Sequence, residues 1–148
     1  MHVDDEFIRE LTQMVWTTVV GLEAYERAPG GDDAEEITTS VDISGAWEGT
    51  VSLTLTAALG KHVAATMLAC PEAETSQELM QDVLRELANM LGGNVKGIIP
   101  GECKLSLPRV EPEGASGGKV VAQRMWFDCS GQPFRVTVRE RDAANEPS

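Results

Sequence analysis

The sequence holds only two histidines, His2 and His62, and three cysteines, Cys70, Cys103 and Cys129. The cysteine count is odd, no Cys-x-x-Cys pair occurs, and the spacings suit no zinc site. A metal cage is therefore not expected on this chain. Basic residues are scarce: 12 Lys and Arg stand against 24 Asp and Glu, a formal net charge of −12. That balance repels phosphate backbones and anionic lipid, which argues against nucleic acid and membrane as partners. Long hydrophobic runs are missing, so no stretch reaches membrane-spanning length. The N-terminus shows no basic region followed by an apolar run, so no signal peptide is expected. These features together predict a reduced, cytoplasmic setting. Motifs for nucleophilic or metal-assisted hydrolysis are also lacking. There is no Gly-x-Ser-x-Gly, no His-Glu-x-x-His and no cysteine with a neighbouring histidine. Gly92, Gly93 and Gly97 lack the Gly-Lys-Ser/Thr of a phosphate-binding loop, and close helix packing or helix termination accounts for them better.

What is present suits one globular domain. The 148 residues are 42% hydrophobic, enough for a core. We expect a single domain over residues 1–140 and a polar tail over 141–148. The dominant element is the stretch 76–97. Leu79, Met80, Val83, Leu84, Leu87, Met90 and Leu91 recur at spacings of three and four, which predicts an amphipathic helix. Ser76 is its expected N-cap, with Glu78 in the first turn. Asp82, Glu86 and Asn89 fall at i, i+4 and i+7, so they form one polar ridge on the opposite face. Asn in mid-helix is mildly unfavourable, because its side chain competes for backbone hydrogen bonds. Its presence there points to a use other than helix stability. A solvated face is the bland alternative for the ridge.

The remaining elements follow from periodicity. Residues 4–25 read as a first helix with Phe7, Leu11, Met14, Val15, Thr18, Val19 and Leu22 on its apolar side. Its Glu10-Leu-Thr-Gln13 reads as a solvated face. Residues 27–36 read as a loop. Alternation at Ile37, Thr39, Val41 and Ile43, then from Trp47 through Leu55, predicts a hairpin turning at Ser44-Gly45. A short helix over 57–68 contains His62, a solitary histidine with no ligand role expected. Residues 71–75 link it to the long helix. Lys96 reads as a lone solvated cation. Cys103, Leu105 and Leu107 alternate in a further strand, 108–118 reads as a loop, and 119–128 pairs with a last strand through Phe134, Val136 and Val138 in a second hairpin. The fold class is α+β, an antiparallel β-sheet of two hairpins covered by helices.

The pattern Asp82-x-x-x-Glu86-x-x-Asn89-x-x-x-Gly93-Asn94 resembles the signature of the CheC/CheX/FliY phosphatases of bacterial chemotaxis. The string Ile43-Ser-Gly-Ala-Trp-Glu-Gly49 is similar to the glycine-bracketed hairpin of the same family. Members of the CheC and FliY type carry two Glu-x-x-Asn motifs. This chain carries one, so it is most similar to the single-motif CheX type. The resemblance implies a phosphatase acting on the aspartyl phosphate of a CheY-like response-regulator receiver domain. It implies Glu86 and Asn89 as catalytic, with the amide orienting water and the acid pairing a receiver lysine. Asp82, Arg85 and Gly93 are the expected partner contacts. It also implies Mg²⁺ on the receiver, no cofactor on this chain, and a homodimer. The alternatives are a non-catalytic, dimeric module that binds a receiver or switch protein, and a structural dimerisation domain.

Overall fold

The computed structural model describes residues 3–30, 35–111 and 119–141. Helix α1 (Asp5–Val15) starts where Asp4 Oδ1 accepts the Phe7 N–H at 2.8 Å, with Asp5 and Glu6 at the positive end of the dipole. Ile8, Leu11, Thr12 and Val15 face inward. Met14 and Thr18, expected on that side, face solvent. The helix does not reach residue 25. From Trp16 to Val20 the winding widens into a π turn, which Gly21 closes at φ +85°. The N–H groups of Gly21 and Leu22 both reach the Trp16 carbonyl, at 2.8 and 3.2 Å. The Trp16 ring lies fully buried and stacked on Phe134, with 4.3 Å between centroids. That stack anchors the turn, and the chain leaves it for strand β1 (Tyr25–Arg27).

Strands β2 (Glu36–Gly45) and β3 (Gly49–Thr56) form the expected hairpin, with Val41 opposite Val51. The turn falls at residues 46–48 rather than at Ser44-Gly45. Gly45 is still paired, opposite Cys103, at φ +122°. A side chain there would strike the Glu102 carbonyl, so only glycine fits. Thr56 Oγ1 accepts the Leu59 N–H at 3.1 Å and starts α2 (Ala57–Leu68). The linker contains one 3₁₀ turn, Glu72–Glu74. Ser76 Oγ accepts the Leu79 N–H at 3.1 Å and starts α3 (Gln77–Gly97).

Two short strands follow, β4 (Cys103–Leu105) and β5 (Arg109–Glu111), and both pair with β2. The loop expected over 108–118 thus contains a strand, while residues 112–118 lie outside the described residues. Leu107, expected to alternate with Cys103 and Leu105, is 88% exposed beyond the end of β4. Strands β6 (Lys119–Cys129) and β7 (Gln132–Arg141) form the last hairpin. Arg141, expected in the tail, closes β7, and its guanidinium meets Glu48 at 2.9 Å. Residues 142–148 lie outside the described residues, as do 31–34 of the first loop.

The two hairpins join into one antiparallel sheet of seven strands, because β3 pairs with β7 along Gly49–Leu55. The order is β1-β6-β7-β3-β2, with β4 and β5 sharing the outer side of β2. Alternation gives the sheet two unlike faces. Val41, Ile43, Val51, Leu53, Leu55, Met125, Phe127, Phe134, Val136 and Val138 point into the core with the helices. The other face carries hydroxyls paired across strands, Thr38 with Thr54 at 2.9 Å and Ser40 with Ser52 at 2.7 Å. Arg135 lies there over the Trp126 ring, 5.0 Å from its centroid, and pairs with Glu36 at 3.0 Å. Helix α3 lies across β2 and β3. It buries Met80, Val83, Leu84, Leu87, Ala88, Leu91, Gly92 and Val95. Each fully buried leucine contributes about 1.5–3 kcal/mol, which fixes the helix firmly. Leu79 and Met90, expected inside, are exposed and half-buried respectively.

Candidate functional site

The outer face of α3 is where the polar ridge appears. Asp82, Glu86, Asn89, Gly93 and Lys96 follow at spacings of four, three, four and three. At about 100° per residue they stay within roughly 40° of Asp82 around the axis. They form one straight stripe along a helix whose other side is locked in the core.

Within this stripe the side chains differ in what they already hold. Arg85 Nη1 donates to Asp82 Oδ1 at 2.8 Å, an exposed pair within the helix. Such a pair supports the helix by a few tenths of a kcal/mol, about 0.2–0.5. Glu86 is exposed and Asn89 half-buried. Neither makes a hydrogen bond or ion pair with another described residue. Asn94, one turn further on, differs: its Nδ2 donates to the Met90 carbonyl at 2.8 Å. The Asn89 amide therefore offers both a donor and an acceptor. Glu86 and Asn89 stand about 4.5 Å apart along the axis.

The two central glycines have separate reasons. A Cβ on Gly92 would run into the Val41 side chain, so this residue lets α3 approach β2. A Cβ on Gly93 would meet nothing within 4 Å. Gly93 is thus a bare patch of helix on the stripe, one turn beyond Asn89. Neither residue terminates the helix, which runs on to Gly97.

Other polar candidates are held in structural contacts. Gln13 is half-buried rather than solvated, and its Nε2 donates to the Ala24 carbonyl at 3.3 Å. His62 bridges Glu72, 3.1 Å from Nδ1, and Ser130, 3.2 Å from Nε2, so its ring ties α2 to the β6–β7 turn. Cys129 lies in the core, where burial pushes its thiol above the ordinary range. Among the described residues no group of three or more His, Cys, Asp or Glu is placed to hold a metal ion. Among them, too, no helix is long and apolar enough to cross a membrane.

The family model described as chemotaxis phosphatase CheX matches residues 37–115. That span includes all of α3 and its stripe. The chain belongs to the CheX family. Solved structures agree with this fold. A CheC-like superfamily protein from Shewanella sp. PV-4 superposes with a TM-score of 0.72 at 19% identity, covering 96% of this chain and 100% of that one. CheX from Borrelia burgdorferi, solved in a complex with CheY, BeF3 and Mg²⁺, gives 0.71 at 16% identity, covering 95% and 100%. CheX from Vibrio vulnificus gives 0.68 at 17% identity, covering 89% and 92%. At these identities the likeness is one of fold. No curated protein matches the sequence.

One feature beside the CheX-family ridge has no counterpart in the sequence pattern. Lys96, read as a lone solvated cation, is half-buried and lines an open groove together with Lys104. Lys104 comes from β4, so helical periodicity could not connect the two.

Proposed function

We propose that this CheX-family chain is a phosphatase that speeds hydrolysis of the aspartyl phosphate on a CheY-like receiver domain. The observation that carries the reading is the unengaged pair on α3. Glu86 and Asn89 project side by side from a helix whose opposite face is buried in the core. An acyl phosphate is already labile, so a catalyst need only place water in line and hold the charges aligned. Water attacks phosphorus, and the bond between phosphorus and the acyl oxygen breaks. The products are the receiver's free carboxylate and inorganic phosphate. In this mechanism the Asn89 carbonyl oxygen accepts a hydrogen bond from the attacking water and turns its lone pair toward phosphorus. Glu86 accepts a charge-assisted hydrogen bond from a receiver lysine and keeps that cation in register with the phosphoryl group. Mg²⁺ belongs to the receiver, and no group of this chain is asked to ligate it. Asp82 and Arg85 contact the partner at the rim, and Gly93 lets it approach the helix backbone. The complex of Borrelia burgdorferi CheX with CheY, BeF3 and Mg²⁺ supports a receiver as the partner. A homodimer is part of the same reading and is tested by light scattering.

The test is a phosphate-release time course on a panel of phosphorylated receivers that includes the host's own. Wild-type chain should accelerate loss of the acyl phosphate. Asn89→Ala should lose roughly 10²-fold or more in rate, the scale of a deleted transition-state hydrogen bond, while retaining most of its receiver affinity. Normal activity in that variant would sink the mechanism. Binding without acceleration by the wild type would instead mark a non-catalytic receiver-binding module.

A further inference from the structure

The stripe on α3 ends in a groove of about 720 Å³ lined by Ser44, Gly45, Lys96, Gly101, Glu102, Cys103 and Lys104. Lys96 lies two helical turns past Asn89, roughly 10 Å along the axis and on the same face. Lys104 faces it from β4, where its backbone pairs with Ser44. The groove brings two cations without an ion pair together, whereas Lys61 on α2 is a single one. The chain carries a net charge of −12, and its arginines at positions 9, 27, 85, 109, 135 and 141 are each paired with a carboxylate. Lys96 and Lys104 have no ion pair with any described residue. The groove's own acid, Glu102, has none either.

The walls are built rather than loose. Gly45, at φ +122°, admits the Glu102 backbone, and Gly101, at φ +103°, admits Ala46. The Ala46 N–H donates to the Glu102 carbonyl at 3.0 Å and closes the wall. Two cations are thus presented in a fixed concavity that opens onto the stripe.

We infer that this groove is a second docking site for the same receiver, taking an acidic segment of its surface. The inference rests on the phosphatase reading and adds where the partner is held and in which orientation. Charge complementarity argues for it. The centre of the ridge is anionic, through Glu86 and Asp82, and calls for a cation on the partner. The groove calls for an anion, roughly 15 Å along the axis from Glu86. Two opposite signs along one stripe set a single direction of docking and raise the encounter rate. Without the lysines, a strongly acidic chain would meet an acidic segment with repulsion alone.

The test compares Lys96→Glu, Lys104→Glu and Lys61→Glu in steady-state dephosphorylation of the receiver panel. Lys61, on α2, is also exposed and without an ion pair, and its reversal changes net charge by the same amount. Each groove variant should raise KM by about 5- to 10-fold with kcat unchanged, and the effect should shrink at high salt. Lys61→Glu should change KM by less than about 2-fold. If the wild type is active and the groove variants match Lys61→Glu, the second docking site is wrong and the phosphatase reading stands. If the wild type neither binds nor dephosphorylates any receiver, both fall. Circular dichroism of each variant confirms that a KM change does not come from unfolding.

Discussion

At the scale of single residues, the two adjacent glycines of α3 separate tight packing from open surface. Gly92→Ala places a methyl against Val41, and overpacking of this kind costs about 1–3 kcal/mol. Gly93→Ala meets open space, so helix propensity alone should stabilise the fold by about 0.5–1 kcal/mol. Urea denaturation should therefore move in opposite directions for the two variants. Receiver binding should report the reverse for Gly93, because the new methyl sits on the stripe one turn from Asn89. A more stable protein with a raised KM is the expected result. Gain of stability with no change in KM would remove Gly93 from the docking surface. Asn89 stands out in the sequence as an Asn in mid-helix. Its amide gives the helix nothing in return for its poor propensity, and it makes no bond to a described neighbour.

At the scale of elements, legibility followed side-chain pattern. Helices α2 and α3 were readable almost to the residue because caps and periodicity agree: Thr56 and Ser76 each hold an N–H three residues on. Strands β1 and β5 were not readable. Each has three residues, and Tyr25, Glu26 and Arg27 are all exposed, so no alternation marks β1. The π turn at Trp16 was equally silent, since a change of backbone hydrogen-bond partner needs no special residue. The ridge was legible because one helix carries it. The groove was not, because Lys96 and Lys104 come to line it together only after β4 has paired with β2. A prediction belongs at this scale. Ser76→Ala removes the cap of α3 and should cost about 1 kcal/mol in urea denaturation. It should leave kcat unchanged, since Leu84, Leu87 and Leu91 hold the helix beneath Glu86 and Asn89. A fall in kcat would show that the first turn of α3 contributes to the chemistry.

At the scale of the whole molecule, the pairing of β3 with β7 turns two hairpins into one sheet. Sequence patterning finds strands and near neighbours, but this register joins segments separated by two helices and three strands. The predicted consequence is a single cooperative transition. In a Trp47→Phe, Trp126→Phe variant the remaining Trp16 reports the α1 side of the core, and far-ultraviolet circular dichroism reports the sheet and helices as a whole. Fluorescence and circular dichroism should give coincident urea curves. Separated midpoints would mean that the N-terminal helix and the sheet come apart independently.

The same pairing sets an order of events on the ribosome. Everything between β3 and β7 is an insertion between two neighbouring strands, and α3 is part of that insertion. Helix α3 is therefore synthesised well before the strand that completes the sheet beneath it. Leu84, Leu87 and Leu91 emerge while β3 still has an open edge. Folding of the nascent chain must wait for the C-terminal hairpin, a long-range closure of the slow kind. During that interval the apolar face of α3 has no complete sheet to cover it, the kind of surface that favours aggregation, and a chain released before β7 is made has the Glu86 and Asn89 pair on a helix with an incomplete floor.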